Sequence, residues 1–574
     1  MGSIPARRRI AIIGGGPSAL FVYKRLVRSS AKFDIEIFEK GNMLGAGMPY
    51  SKAGANTEHI TNVSHNEIPK MASSIIQWIK TLSENKRKEF NIDPDKYTQY
   101  KVFPRLLFGE YLAAQFALLR EEGEKNGIVT RVHYNSDVTD LMDQPESGLV
   151  QVTVASGKVE EFDKVIICTG HKWPDKYEGE VPGYFASPYP PSKLRLAVNH
   201  PVAIKGSSLT AIDAIRTLAR QNGRFEWNDD DKLQFIPNED SPKFRIVLHS
   251  RSGLLPAIRF HLDEPRITSA SLMSDKEVAE NMKQNGGFLS LDYVFEKNFK
   301  EAFKTRDPKL YRRIKDMEIE EFVQTVMDMR EGKPPFQLFK EEYVEAQKSI
   351  EQRKSVYWKE IIAELSFSIN YPAKYLSAED MLRLSKLLMP LIATVIAFVP
   401  QSSCDELFAL HDAGRLEVVA VGNDSTVDPK KEGGIIYRYT NDEGKKHNIS
   451  YQTYIDASGQ RHFSFEDFPF KGLMMKKSVS PAYLRFKSGE EGKKLMDEGN
   501  ENVSTNAHGK YFLKVPGVAI NDCFQIVNEY GVANERVFIM AVPYIGGYNP
   551  DYSGLDFCEQ ASQFIIEKIE EDVS

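Results

Sequence analysis

The stretch Arg9-Ile10-Ala11-Ile12-Ile13-Gly14-Gly15-Gly16-Pro17-Ser18-Ala19-Leu20 decides the fold. Its β-branched apolar run reads as a buried strand, its glycines as a tight turn, and Leu20, Val22, Tyr23 and Leu26 recur at helical intervals behind them. A second apolar strand, Ile35 to Phe38, ends at Glu39, 25 residues after Gly14. Strand, glycine turn, helix, strand and acidic tip make a βαβ nucleotide unit. Gly14 and Gly16 let the main chain approach a pyrophosphate, which then lies on the helix N-terminus at Pro17, Ser18 and Ala19. Glu39, with Lys40 beside it, is placed to accept from ribose hydroxyls, which suits FAD or NAD rather than NADP.

The arrangement recurs. Pro201 to Lys205 is strand-like and runs into Gly206-Ser207-Ser208-Leu209-Thr210-Ala211, with Ile212, Ile215 and Leu218 on a helix behind it. Ser208 stands where a close-approach glycine is usual. The next strand, Phe244 to His249, ends in Ser250-Arg251-Ser252-Gly253, which puts a guanidinium where a 2′-phosphate would sit. NADPH is therefore the coenzyme expected on this second unit, ahead of NADH.

The rest of the chain is organised around these two units. Val165 to Cys168, leading into Thr169-Gly170, and Leu149 to Val154 supply further strands of the first unit. From about Asp275 to His411 long charged segments show helical spacing, with Tyr343, Ala346, Ile350, Tyr357, Ile361 and Leu365 marking one face. Strand-like Leu416 to Val421 and Tyr451 to Asp456, closed by Ala457-Ser458-Gly459, resume the second unit. Arg536 to Ala541, a turn-rich loop to Gly554 and a helix from Leu555 return to the first. The expected fold class is α/β: two Rossmann-like dinucleotide-binding domains, a two-nucleotide flavoprotein fold, with a helical insertion. Residues 1–197 and 461–574 form the FAD-binding domain, 198–274 and 412–460 the NAD(P)H-binding domain, and 275–411 the insertion, read as scaffold or substrate lid.

Composition narrows the function classes. The 574 residues are 41% hydrophobic and 27% charged, an ordinary globular balance that excludes collagen-like, mucin-like and disordered classes. A net charge of −6 gives no basic field for nucleic acid. Cys168, Cys404, Cys523 and Cys558 lie far apart, so neither a redox disulfide nor a zinc site is expected, and a reduced, cytoplasmic setting fits. The N-terminal apolar run reaches Gly14 too soon for a secretory segment, and Leu387 to Pro400 is too short to span a membrane. Without a cysteine pair, hydride passed from NADPH to a bound flavin must leave by another route, and oxygen is the expected acceptor.

Six motifs in order carry a family resemblance. Gly14 to Ala19, Gly45-Ala46-Gly47-Met48-Pro49-Tyr50-Ser51, His59-Ile60-Thr61-Asn62-Val63, Phe103-Pro104-Arg105 through Leu112, Gly206 to Asp213, and Ser250 to Pro256 resemble the FAD/NAD(P)-binding family of FAD-dependent urate hydroxylases and L-aspartate N-monooxygenases. The resemblance covers residues 8–260 and implies FAD on the first unit and NAD(P)H on the second. It places Met48, Pro49 and Tyr50 beside the flavin ring, Asn62 as a hydrogen-bond partner of flavin or nicotinamide, and Arg105 on a cofactor phosphate or at a domain interface, with a substrate carboxylate as the second reading. His65 is a proton relay or a surface histidine. Thr169 and Gly170 mark the crossing between domains, and Asp551 and Gly554 close over the flavin.

The activity implied is an NAD(P)H-consuming monooxygenase that hydroxylates a small polar nitrogen-containing substrate, an amino acid or heterocycle, through a flavin hydroperoxide. Tyr50 and Asn62 are the candidate catalytic residues. Alternatives are an NAD(P)H:acceptor flavin reductase and a non-catalytic flavin-binding interaction protein. The partners expected are the small substrate and molecular oxygen, with no nucleic acid, no membrane span and a homo-oligomer left open.

Overall fold

The computed structural model describes residues 7–93, 98–262, 273–441, 443–460, 462–551 and 554–572. The first six and last two residues, and residues 263–272 of the expected 198–274 segment, lie outside the described residues.

Arg8–Ile13 lies inside a six-stranded sheet, with Ile10, Ala11 and Ile12 fully buried. Both faces of such a strand are covered, which is why it reads as an unbroken apolar run. The strand order is Gln525–Val527, Ala533–Ile539, Lys164–Ile167, Arg8–Ile13, Phe33–Phe38 and Val129–His133. Every neighbouring pair is parallel except the first.

A second, five-stranded sheet repeats the scheme: Tyr184–Phe185, Thr453–Asp456, Pro201–Lys205, Arg245–Ser250 and Leu416–Ala420, all parallel. In both sheets the chain runs outward from the glycine-turn strand, then folds a three-stranded antiparallel meander before returning to the strand on its other side. Leu149–Val154 is the middle strand of the first meander and buries alternate residues, as a sheet with one face on the core does.

The helical segment leaves the second sheet after Arg245–Ser250 and re-enters it at Leu416–Ala420. Its core, around Phe295, Phe299, Phe322, Ile362 and Leu365, also takes in Ala482, Leu484, Leu513 and Val515 from antiparallel strands Pro481–Arg485 and Tyr511–Val518. Residues 461–574 are thus shared between the helical core and the first sheet. The last helix, Gln401–Asp412, turns Cys404, Leu407 and Leu410 into the core of the second sheet, as the crossover helix to Leu416–Ala420.

One expected face is corrected. Helix Pro335–Gln352 ends at Arg353 in a left-handed cap (φ 50°), and a new helix, Tyr357–Asn370, begins after it. Before the break Tyr343 and Ala346 turn toward the core of the second sheet, after it Ile361 and Leu365 enter the helical core, and Ile350 is 41% exposed. Pro390 follows a π-helical turn, Leu384–Leu388, that runs without a break into Met389–Ile396, so the helical run is irregular where the proline removes an N–H. Among the described residues no helix is long and apolar enough to cross a membrane.

Candidate functional site

Two glycine turns of the same geometry stand at the tips of the two central strands. Gly14 has φ +98° and donates its N–H to the Phe38 carbonyl at 2.8 Å; Gly206 has φ +103° and donates to the His249 carbonyl at 2.8 Å. A Cβ on Gly14 would stand 2.8 Å from the Cys168 carbonyl oxygen, and one on Gly206 would stand 2.6 Å from that of Ala457. Both positions require glycine, for conformation and for space.

Behind these turns the helices Pro17–Arg28 and Leu209–Asn222 begin at Gly16 and Ser208, and neither start carries a side-chain cap. Their first N–H groups face outward with the positive end of the helix dipole, the arrangement that receives phosphate. Ser208 is exposed and its hydroxyl does not cap the helix. The Ser207 hydroxyl donates to the Leu254 carbonyl at 2.8 Å, while Leu209 and Thr210 form the first turn.

At the first turn, Glu39 closes the loop. Its Oε2 accepts from the Gly15 N–H at 2.7 Å and its Oε1 from the Gly41 N–H at 2.6 Å, so the carboxylate is fixed at the strand tip. Each oxygen keeps acceptor capacity. Lys40 turns away, 78% exposed, to pair with Asp137 at 2.9 Å.

The 45–50 loop is built onto the same turn. The Gly45 N–H donates to the Gly15 carbonyl at 2.7 Å, and a Cβ on Gly47 would meet Pro17 at 3.0 Å. A Cβ on Gly109 would stand 2.0 Å from the Tyr50 carbonyl oxygen, so helix Arg105–Lys125 presses on this loop. Met48 packs over Gly54, and a Cβ on Gly47 would lie 3.7 Å from Pro49 Cδ. The Tyr50 ring meets Phe108 edge-on at 4.9 Å, and burial pushes its hydroxyl up to about 12, so it stays protonated.

A third helix start lies beside the first. Helix Leu555–Glu571 runs alongside Pro17–Arg28, with Ser18 Oγ 3.5 Å from Cys558 Sγ near their N-termini and Arg25 Nε donating to Ser562 Oγ at 3.0 Å further along. Gly554 is its uncapped N-cap residue, and the Asp551 N–H donates to Asn370 Oδ1 of the helical unit at 2.8 Å.

The segment 58–67 is the seam between the units. Arg105 Nε donates to the Ile60 carbonyl at 3.1 Å while its Nη1 meets Asp213 Oδ2 of helix Leu209–Asn222 at 2.5 Å. Tyr189 donates its hydroxyl to the same oxygen at 2.6 Å. Burial disfavours both charges, but each outweighs the cost for the other: Arg105 is raised above its usual range, and Asp213 is held below its own by Arg105 and His59. His59 is fully buried, 3.1 Å from Thr217 Oγ1, and burial lowers its pKa. From the opposite side Arg259 bonds the Asn62 carbonyl, Ser64 Oγ at 2.7 Å and the Glu67 carboxylate. Thus Arg105 stands at the interface, and the Asn62 main chain is part of the seam. His65 is half-buried, with Nδ1 lacking a partner, and burial lowers its pKa. Sequence reasoning missed Arg259 and Glu67, because nothing local marks a partner almost 200 residues away, and Tyr189, whose partner Asp213 stands 24 residues on in a different element.

Thr169 follows the strand that Gly14 abuts, and among the described residues its buried Oγ1 has no partner, nor has the buried Trp173 Nε1, whose ring packs on Tyr189 at 4.8 Å. A Cβ on Gly170 would meet open space. Orphaned buried polar atoms, uncapped helix starts and glycine-only turns fit a dinucleotide on the first unit. The second turn fits one too, and Arg251 lies exposed at the tip of its next strand with no ion pair among the described residues. Among the described residues, Glu36, His133 and Glu160 converge, but Arg9 bridges Glu36 at 2.7 Å and Glu160 at 3.4 Å, making an ion-pair network.

Residues 11–172 match the FAD-NAD(P)-binding family, and residues 274–396 match the YdhS-like middle domain. YdhS of Escherichia coli (strain K12), an uncharacterized protein, is 28% identical over 469 residues, 81% of this chain and 86% of that protein. Among solved structures, the ornithine N-hydroxylase of Kutzneria sp. 744 is 12% identical, covering 99% of this chain and 100% of that one, with a TM-score of 0.46. The cadaverine monooxygenase DfoA of Erwinia amylovora is 10% identical, covering 99% of this chain and 95% of that one, with a TM-score of 0.47. The bacillithiol disulfide reductase of Staphylococcus aureus is 11% identical, covering 99% of each chain, with a TM-score of 0.41. Over residues 11–172 the chain is thus similar to the FAD-NAD(P)-binding family and over residues 274–396 to YdhS-like middle domains, within an α/β architecture of two parallel-stranded units.

Proposed function

We propose that the chain is a flavin-dependent oxidoreductase, with FAD on the first unit and NAD(P)H on the second, acting as a monooxygenase on a small polar nitrogen-containing substrate. The observation that carries this reading is the repeat of one glycine turn and one uncapped helix start in each unit, locked across a common seam. Bound flavin supplies hydride acceptance and oxygen activation. The chain's own residues hold and orient. Gly14, Gly16, Pro17, Ser18 and Ala19 receive the pyrophosphate, with the start of helix Leu555–Glu571 adding a second positive dipole end. Glu39 holds a ribose, and Met48, Pro49 and Tyr50 form an apolar wall that excludes water. Thr169 Oγ1 and Trp173 Nε1 are polar atoms for the bound group to engage. On the second unit Gly206 to Thr210 take the coenzyme pyrophosphate and Arg251 the 2′-phosphate, which favours NADPH. The substrate being nitrogenous rests on the family resemblance of the six motifs.

Anaerobic mixing of the flavin-loaded protein with NADPH should bleach the flavin band. Oxygen admitted with a panel of amino acids and purines should then yield a product bearing one atom from labelled oxygen. Bleaching followed by label in water or peroxide only, with electrons passing to quinones, would make the protein a reductase. Bound FAD that NADPH does not reduce would leave a binding protein.

A further inference from the structure

Away from the glycine turns, helices Pro308–Ile314, Ile319–Glu331, Pro335–Gln352 and Tyr357–Asn370 line a cavity of about 670 Å³. That volume lies within the range of small-molecule sites, roughly 300–1,000 Å³. No residue of the two parallel sheets contributes to it. Phe299, Phe322, Val326, Leu338 and Trp358 give it an apolar floor.

The charges around that floor are unequally satisfied. Glu342, itself buried, accepts from Arg330 Nη1 at 2.5 Å and from Lys359 Nζ at 3.1 Å, and Glu345 takes Lys359 at 2.8 Å. Glu341 pairs with Lys333, and Asp307 Oδ1 is occupied by the Leu310 N–H at 3.0 Å. Every carboxylate of the lining therefore has a partner. Lys309 and Arg313, four positions apart and so on one face of their helix, make no ion pair among the described residues. The Nε of Arg330, 5% exposed, is a buried donor without an acceptor among the described residues. An apolar floor whose two unpaired cations among the described residues, Lys309 and Arg313, outnumber its one carboxylate without a cation, Asp307, matches an amphipathic anion.

We propose that this cavity is a binding site for a small organic monocarboxylate with an apolar chain or ring, its body on Phe322 and Trp358 and its carboxylate drawn to Lys309, Arg313 and Arg330. The site stands independently of the flavin reading, because its lining belongs wholly to the helical unit.

The test uses the full-length, flavin-loaded protein labelled with ¹³C-methyl methionine. Met317 and Met329 line the cavity among 16 methionines, and Met317→Leu and Met329→Leu variants assign their signals. Octanoate should shift these two resonances saturably and leave the remainder in place. Hexanoate should bind about tenfold more weakly, the effect of two fewer buried methylenes. The exposed double reversal Lys309→Glu/Arg313→Glu should weaken octanoate by about tenfold or more, as loss of charge-assisted bonds requires, with the distant methionine signals unchanged as the check on folding. No shift at millimolar octanoate overturns the proposal. So does octanol acting as strongly as octanoate, or a charge reversal that leaves affinity intact.

Discussion

Arg105 of the first unit and Asp213 on the nucleotide helix of the second form a buried ion pair, Nη1 to Oδ2 2.5 Å, and Tyr189 completes the shell of the carboxylate at 2.6 Å. The pair joins the strand Ile60–Ser64 to the very helix whose N-terminus is the proposed coenzyme phosphate site. Removing one partner leaves a charge in a buried setting, which costs far more than removing both. Arg105→Met should lower stability by about 3–5 kcal/mol in urea unfolding, and Arg105→Met/Asp213→Asn should recover a large part of the loss. Equal loss in the single and double variants would show that the two residues act separately.

Gly14→Val should yield folded protein without flavin. The new Cβ meets the Cys168 carbonyl and occupies a left-handed backbone position. Gly206→Val should instead retain flavin and lose reduction by NADPH. The ratio of flavin to protein absorbance, with NADPH titration, separates the two.

Arg251→Ala should raise the KM for NADPH by about tenfold to a hundredfold, the range of a charge-assisted bond to phosphate, and leave that for NADH close to unchanged. Steady-state kinetics with both coenzymes checks this. A parallel loss for both would remove Arg251 from 2′-phosphate recognition.

Acid should act through Glu406. Burial alone would push its carboxyl up, but Arg216 at 2.9 Å and Arg220 at 2.7 Å hold it down to about 2 from an ordinary 4.5. A carboxyl depressed in the folded state contributes stability above its unfolded value and loses it as pH falls toward the folded one. The difference is worth about 3 kcal/mol at neutral pH and disappears between about pH 4.5 and 2. Glu406→Gln should be less stable at pH 7 and show a flatter acid limb in denaturant midpoints, and an unchanged limb would contradict this.

Thiol labelling should be selective. Cys168, Cys404 and Cys558 are buried, and burial raises all three thiols above their ordinary range. Only Cys523 is partly accessible. Native protein should titrate about one thiol with a disulfide reagent and unfolded protein all four.

Local chemistry made the two glycine turns legible. An apolar β-branched run, a glycine at its tip and an apolar helical period behind it obey rules that act over a few residues, so the strand-turn-helix units at Gly14 to Ala19 and Gly206 to Thr210 could be read from sequence. The same holds for Glu39, whose position follows from the length of one βαβ unit. The split of the 343–365 face was not legible, because a left-handed cap at Arg353 carries no glycine signal. What the tertiary structure alone decided is the seam and the helical cavity. Arg259 meets Glu67, and Arg105 meets Asp213, only because two sheets of the same topology dock along residues 58–67. Strands Pro481–Arg485 and Tyr511–Val518 join the helical core for the same reason: burial of apolar surface is non-directional and does not respect chain order.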